Sequence, residues 1–226
     1  MPRELLQMKE MTITSAEVLG TASATTPKPR GNRATRVPTI IEVSINVFAT
    51  EGNVGFTQRR IASDAAIRLG TLQHYFGTRE ELLRATIETF AGRYLERFRS
   101  VAQDNDRSPQ ARLDAIIDEL FSMLMEPGTN MGGFILESWS LAESELFVHE
   151  LTRKVARECQ EMLAGLVANI NPTLTNGECA LRGALLVSHL HGLVVFVHRA
   201  GDSLPGLGAF RDASKAVWRA ISNATE

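Results

Sequence analysis

The sequence predicts an all-α fold of about nine helices, and three observations carry that expectation. From about Thr35 onward apolar residues recur at spacings of three and four, as in Val37, Ile40, Ile41, Ser44, Ile45 and Phe48. Hydroxyl residues that suit helix N-caps stand ahead of these runs, and Gly or Pro follows them. No segment alternates apolar and polar residues with the period of two that a half-buried strand requires.

The elements follow in order. Residues 1–34 mix Thr, Ser, Ala, Pro and Gly and end in TTPKPRGNR, so a disordered, partly basic arm is expected there. The first helix begins near Thr35, and Gly52 should end it. Thr57 is placed to cap a short helix running to Ala65, with Phe56 ahead of it positioned to pack against Ile61. A third short helix should cover Leu69 to Tyr75. Thr78 and Glu81 have the spacing of a capping box, which opens a long helix through Leu82, Ile87, Phe90, Tyr94 and Phe98. Ser108 and Pro109 start another, carrying Leu113, Ile116, Leu120 and Phe121, until Pro127 and Gly128 stop it. Gly132 and Gly133 read as a further break, followed by helices over 134–141 and 146–170. Thr175 and Glu178 form a second capping box before the strongly apolar run 178–199, and a last helix over 210–222 follows Pro205 and Gly206.

Composition narrows the function. The first 100 residues carry 14 Lys or Arg against 10 Asp or Glu, whereas the remainder carries 10 against 16. The excess is sharpest over residues 28–79, where Lys28, Arg30, Arg33, Arg36, Arg59, Arg60, Arg68 and Arg79 face only Glu42, Glu51 and Asp64. Such a basic zone can neutralise phosphates. No run reaches the roughly 18 uninterrupted apolar residues of a membrane-spanning helix, and the N-terminal segment lacks the apolar core of a secretory signal, so a cytoplasmic protein without membrane partners is expected. Cys159 and Cys179 are too far apart for a CxxC motif and are expected reduced. GxSxG, P-loop, HExxH and dinucleotide-binding glycine motifs are all missing from the sequence, which argues against an enzyme and against a bound cofactor. His189 and His191 stand two apart and diverge on a helix, so no metal site is expected.

Two short helices joined by a tight turn, with a third across them, are the geometry a helix-turn-helix uses to place its second member in the major groove. The run TQRRIASDAAIRLGTLQHYFGTREELL resembles the tetracycline-repressor (TetR) family pattern, through Thr57, Ile61, Ala62, Ala65, Gly70, Leu72, Phe76, Glu80 and Leu82. The preceding IIEVSINVFATEG is similar to that family's first helix. Chemistry assigns roles beside the resemblance. Ile61, Ala62, Ala65, Ile67 and Leu72 are core residues. Thr57, Gln58 and Arg59 lie at a helix N-terminus that suits a phosphate, and Gly70 removes a side chain where backbone approaches DNA. Arg68, Thr71, Gln73 and His74 occupy groove-facing positions of the family. Arg68 can pair with guanine, Gln73 with adenine and Thr71 with a thymine methyl. Tyr75 and Arg79 match positions that touch phosphates. Three residues depart from the pattern. Ala66 stands where the turn usually has glycine, which implies strain if that position needs positive φ. Gln73 replaces a tyrosine and Arg68 a small hydroxyl residue, so the DNA sequence read should differ.

The resemblance implies a DNA-binding domain over 35–80 and a ligand-binding and dimerisation domain over 81–226. It further implies a homodimer on a palindromic operator, a small-molecule effector that releases the DNA, and repression as the commoner outcome. Candidates for lining the effector pocket are Phe121, Met125, Phe134, Trp139, Phe147, His189 and Phe196, because such pockets are mostly apolar with few polar anchors. The rival reading is a helical small-molecule-binding protein without sequence-specific DNA binding.

Overall fold

A computed structural model describes residues 33–203 and 206–224. The arm expected over 1–34 falls outside the described residues except for Arg33 and Ala34, which are helical. Among the described residues there are nine α-helices and no strand. They are α1 (Arg33–Gly55), α2 (Gln58–Asp64), α3 (Leu69–Tyr75), α4 (Arg79–Ala102), α5 (Pro109–Leu124), α6 (Met131–Ala142), α7 (Leu146–Ile170), α8 (Asn176–Ala200) and α9 (Leu207–Asn223).

The expected caps form. Thr57 Oγ1 accepts from the Arg60 N–H at 3.2 Å and Ser108 Oγ from Ala111 at 3.3 Å. Thr78 and Glu81 close a reciprocal capping box, and so do Thr175 and Glu178. Each satisfies first-turn donors that the helix itself cannot. Gly52 breaks α1 at φ 65°, ψ −164°, a region that only glycine enters freely, so the last residues of α1 form a separate turn.

The turn between α2 and α3 is a Schellman motif. The Ile67 N–H donates to Ala62 O and the Ala66 N–H to Ser63 O, both at 3.0 Å. Ala66 sits at the left-handed position with φ 51°, the strain its place in the sequence implied.

One expected break is not a break. Gly132 and Gly133 lie inside α6, which starts at Met131 under an Asn130 cap. A Cβ on Gly133 would stand 2.6 Å from Ala49 O, and one on Gly132 would stand 2.6 Å from the His198 ring. The two glycines therefore let α6 lie close against α1 and α8.

Two buried clusters hold the helices together. One centres on Ile40, Phe48, Ile61, Leu72 and Leu83 and extends into α6 and α7 through Phe134, Leu141 and Val148. The other joins Phe98, Leu113, Ile116, Leu163, Leu186, Val194 and Trp218. Phe90 of α4 packs against both. The C-terminal carbonyls of α9 are met by Arg182 of α8, which donates to Ile221 O, Ser222 O and Ala224 O at 2.7–3.2 Å. This pairing puts a cation at the negative end of the helix dipole.

Helix α8 carries the strongly apolar run and is long and apolar enough to cross a bilayer, with mean hydropathy 1.6 over its most apolar window. Its Leu186, Leu190, Leu193, Val194 and Val197 are nevertheless buried within the fold. Replacing Ala66 by glycine should raise stability by about 0.5–1 kcal/mol, since it removes the left-handed strain at some cost in chain entropy. Urea unfolding checks this, and a lower midpoint in Ala66→Gly would contradict the strain assigned to the turn.

Candidate nucleic-acid interface and effector cavity

The second helix of the pair, α3, presents an exposed surface made of Arg68, Gly70, Gln73 and His74. Its core side is anchored by Leu72, which is fully buried, while Thr71 and Tyr75 are half-buried at the flanks. A Cβ built on Gly70 would meet nothing within 4 Å, so the bare backbone there faces open space. The Arg68 and Arg59 side chains form no ion pair or hydrogen bond among the described residues. Neighbouring Arg60, by contrast, is held by Glu51 at 2.6 Å and Asp64 at 2.7 Å. Arg59 and Arg68 are therefore the cations of this surface left for an outside anion.

Not every expected contact residue is free. Gln58 Nε2 donates to Phe76 O at 3.0 Å and its Oε1 accepts from Gln73 Nε2 at 3.4 Å, which ties the start of α2 to α3. Thr57 is engaged as the α2 cap. The His74 and Tyr75 rings meet edge to face at 5.4 Å. Arg79 is turned inward. Its Nε donates to Phe56 O at 2.8 Å and its Nη2 to Asn53 O at 3.0 Å and to the Asn53 side chain, and its guanidinium lies 5.6 Å from the Phe56 ring centre.

Asn53 also reaches the second half of the chain. Its backbone N–H donates to Glu137 Oε1 of α6 at 2.6 Å. Asn130, at the start of α6, donates to Ala49 O of α1 at 2.7 Å. Two polar links therefore bind α6 to the end of α1, and Arg79 carries the connection on to the first turn of α4. Sequence reasoning missed this junction. The available signal was Glu137, the single charge in the apolar run MGGFILESWSLA.

Beside the junction lies a cavity of about 300 Å³ between α4, α6, α7 and α8. Aromatic and aliphatic groups dominate its wall, among them Phe90, Tyr94, Phe134, Trp139, Leu151 and Val194. Phe134 has two roles there. It stacks on Phe90 at 3.9 Å and meets Phe48 of α1 edge to face at 5.0 Å, so a wall residue of the cavity is also a core residue under the helix-turn-helix.

Of the seven residues expected to line a pocket, Phe134 and Trp139 do so here. The other five lie elsewhere for identifiable reasons. Phe121 is buried against Phe210 of α9, and Phe196, 48% exposed, packs on the same ring from outside. Met125 is an exposed C-cap of α5. Phe147 lies under the Arg84 guanidinium, 4.7 Å from ring centre to cation. His189 Nδ1 accepts from Trp218 Nε1 at 2.8 Å, which fixes α9 on α8. His191 does face the cavity and meets Trp139 edge to face at 4.8 Å.

A paired-helix head with an exposed second helix and unpaired arginines, carried on a helical body with an apolar cavity, has the architecture of a helix-turn-helix protein. Residues 40–86 match the bacterial regulatory proteins of the tetR family. An uncharacterized HTH-type transcriptional regulator in the dhlA 5′ region of Xanthobacter autotrophicus is 28% identical over 163 residues, 69% of this chain and 76% of the relative. The HTH-type transcriptional regulator BetI of Paraburkholderia phymatum is 26% identical over 194 residues, 83% of this chain and 93% of the relative. Among solved structures, a TetR transcription regulator from Haloarcula marismortui superposes with TM-score 0.69 at 17% identity, over 85% of this chain and 98% of that one. FadR from Bacillus subtilis, solved in complex with stearoyl-CoA, gives TM-score 0.66 at 18% identity, over 84% and 100%. The curated relatives are thus HTH-type transcriptional regulators, and the solved structures share this chain's fold.

Two outcomes follow from the geometry. A Cβ on Gly52 would stand 2.7 Å from the Glu137 carboxylate on a backbone closed to other residues. Gly52→Ala should therefore cost about 2–4 kcal/mol in chemical denaturation, the sum of backbone strain and a weakened bond to a charged acceptor. A loss below about 0.5 kcal/mol would show that the junction yields freely. Burial, with the nearby Glu158 charge, pushes the Cys159 thiol up to about 11. The thiol is then protonated at pH 8, and iodoacetamide should label it only after unfolding.

Proposed function

We propose that the chain is a homodimeric repressor that reads a palindromic operator and releases it when a small apolar molecule fills the cavity. The observation that carries this reading is Phe134, shared between the cavity wall and the core beneath the reading head. A ligand that presses on Phe134 and Phe90 acts on α4 and α6, and through Glu137, Asn53 and Arg79 on the base of the head. Such a ligand shifts the equilibrium only by its difference in affinity for the two arrangements.

The domains divide as reading head, 35–80, and effector and dimer body, 81–226. Arg68, Thr71, Gln73 and His74 face the bases, while Thr57, Gln58, Arg59, Gly70, Tyr75 and Arg79 meet the backbone. Arg79 must give up part of its internal bonding to do so, which makes it the contact most sensitive to the state of the junction. The protein acts in the cytoplasm, at its operator.

Support for the dimer comes from α8, where Leu181, Leu185, Ser188, Gly192 and Phe196 form an exposed stripe at helical spacing. Val217 of α9, 44% exposed, continues it. A two-fold pairing of α8 and α9 with their mates buries that stripe and holds two recognition helices about 34 Å apart, one turn of DNA. Support for an apolar effector comes from the wall of the cavity and from the similar fold of FadR, which was solved with stearoyl-CoA.

Selection of genomic fragments by the purified protein tests the reading. The wild type should enrich a palindrome and bind it as a dimer, Arg68→Ala and Gln73→Ala should each lose it, and affinity should fall steeply with salt as counterions are released. Enrichment of nothing at low salt would leave a helical small-molecule-binding protein in its place.

A further inference from the structure

Three polar side chains converge on the apolar cavity without a partner in the protein. Tyr94 is 9% exposed and lines the cavity, yet its hydroxyl makes no hydrogen bond among the described residues. His191 lines it from α8 with only a ring contact to Trp139, and both of its nitrogens lack partners among the described residues. Arg153 of α7 stands at the exposed rim and forms no ion pair or hydrogen bond among the described residues.

Several arginines elsewhere are neutralised within the chain, unlike Arg153. Arg60, Arg84, Arg93, Arg97, Arg99 and Arg219 each have a carboxylate partner. The Tyr94 hydroxyl and the His191 ring nitrogens line the cavity with no partner in the described residues, so a molecule bound there can use them as hydrogen-bond partners. From the cavity, Arg153 and His191 also line an adjoining surface cleft, together with Arg157, which likewise has no ion pair among the described residues. Neither the cavity nor the cleft has an Asp or Glu in its wall.

We infer that the effector is an organic carboxylate, whose apolar body fills the space between Phe90, Tyr94, Phe134 and Trp139 and whose carboxylate is held at the rim by Arg153, with Tyr94 and His191 as further hydrogen-bond partners. This rests on the reading of the cavity as the effector site. A volume of about 300 Å³ is at the small end of the range of ligand pockets and suits a compact apolar body. A carboxylate accepts from a guanidinium and a phenol together, so one head group uses donors that otherwise stay unpaired. Burial holds His191 below its usual range, so near neutral pH the ring is uncharged and offers one N–H to the ligand. The aromatic wall could also attract a cation, but a cation there would meet Arg153 with no carboxylate to offset it.

Calorimetric titration of the full chain with three matched probes tests the inference. These are 4-phenylbutyrate, its primary amide, and (3-phenylpropyl)trimethylammonium. The acid should bind at least about tenfold tighter than either analogue, and Arg153→Gln should weaken the acid about tenfold while leaving the amide unchanged. Tyr94→Phe should weaken the acid more than the ammonium ion. Equal or tighter binding of the ammonium ion or the amide, no effect of Arg153→Gln on the acid, or no binding of any probe at millimolar concentration would overturn it. The same samples, mixed with fragments the protein has selected, separate the two readings. Acid that binds but leaves the DNA held supports the carboxylate site and counts against effector release. A selected palindrome with no acid bound overturns the carboxylate and leaves the regulator intact.

Discussion

The bond from the Asn53 N–H to the Glu137 carboxylate is the contact on which the rest of the arrangement depends. It exists because Gly52 takes a backbone conformation closed to other residues, which turns the next N–H out of helix α1 and toward α6. The Asn53 carbonyl and side chain then receive Arg79, so three segments far apart in sequence meet at one residue. A hydrogen bond to a charged group is worth about 1.5–3 kcal/mol, and losing one partner leaves the other uncompensated. The position of the reading head relative to α6 is therefore set by polar geometry, with apolar packing filling in around it.

Beside that link, Phe134 makes the apolar counterpart. Its ring is packed between Phe48, on the head side, and Phe90, on the cavity side. Packed cores do not deform continuously, so a body inserted beside Phe134 must either fit the present arrangement or favour another. The glycines at 132 and 133 contribute by bringing α6 near enough to α1 for both links to form at once. In this way one helix carries the cavity wall on one side and the support of the reading head on another.

Much of the fold was legible because it is encoded locally. Thr57, Thr78, Ser108 and Thr175 cap the helices they precede, and the strain at Ala66 could be read from one residue standing where glycine is usual. Encoding beyond the local window was opaque. Gly132 and Gly133 look like a break in any short window, and only the approach of Ala49 O shows why small residues are required inside a helix. Arg79 looks exposed by its place at a helix start, but the carbonyls that hold it belong to Asn53 and Phe56, more than 20 residues earlier. The cavity divides the same way. Periodicity marks Phe121, Phe147 and Phe196 as apolar, and it cannot distinguish a residue in a wall from one packed on Phe210 or under Arg84. Tyr94 and Arg153 become conspicuous only once their lack of partners can be seen.

The claim that Glu137 holds the reading head to the body is tested most directly by amide hydrogen exchange on the wild type and Glu137→Ala. The account predicts faster exchange over residues 53–76 in the variant, with α7 and α8 unchanged, because the head loses its polar anchor while the main core keeps its packing. Identical exchange over 53–76 in the two proteins would contradict it, and would place the support of the head in the apolar packing around Phe48 and Phe134 alone.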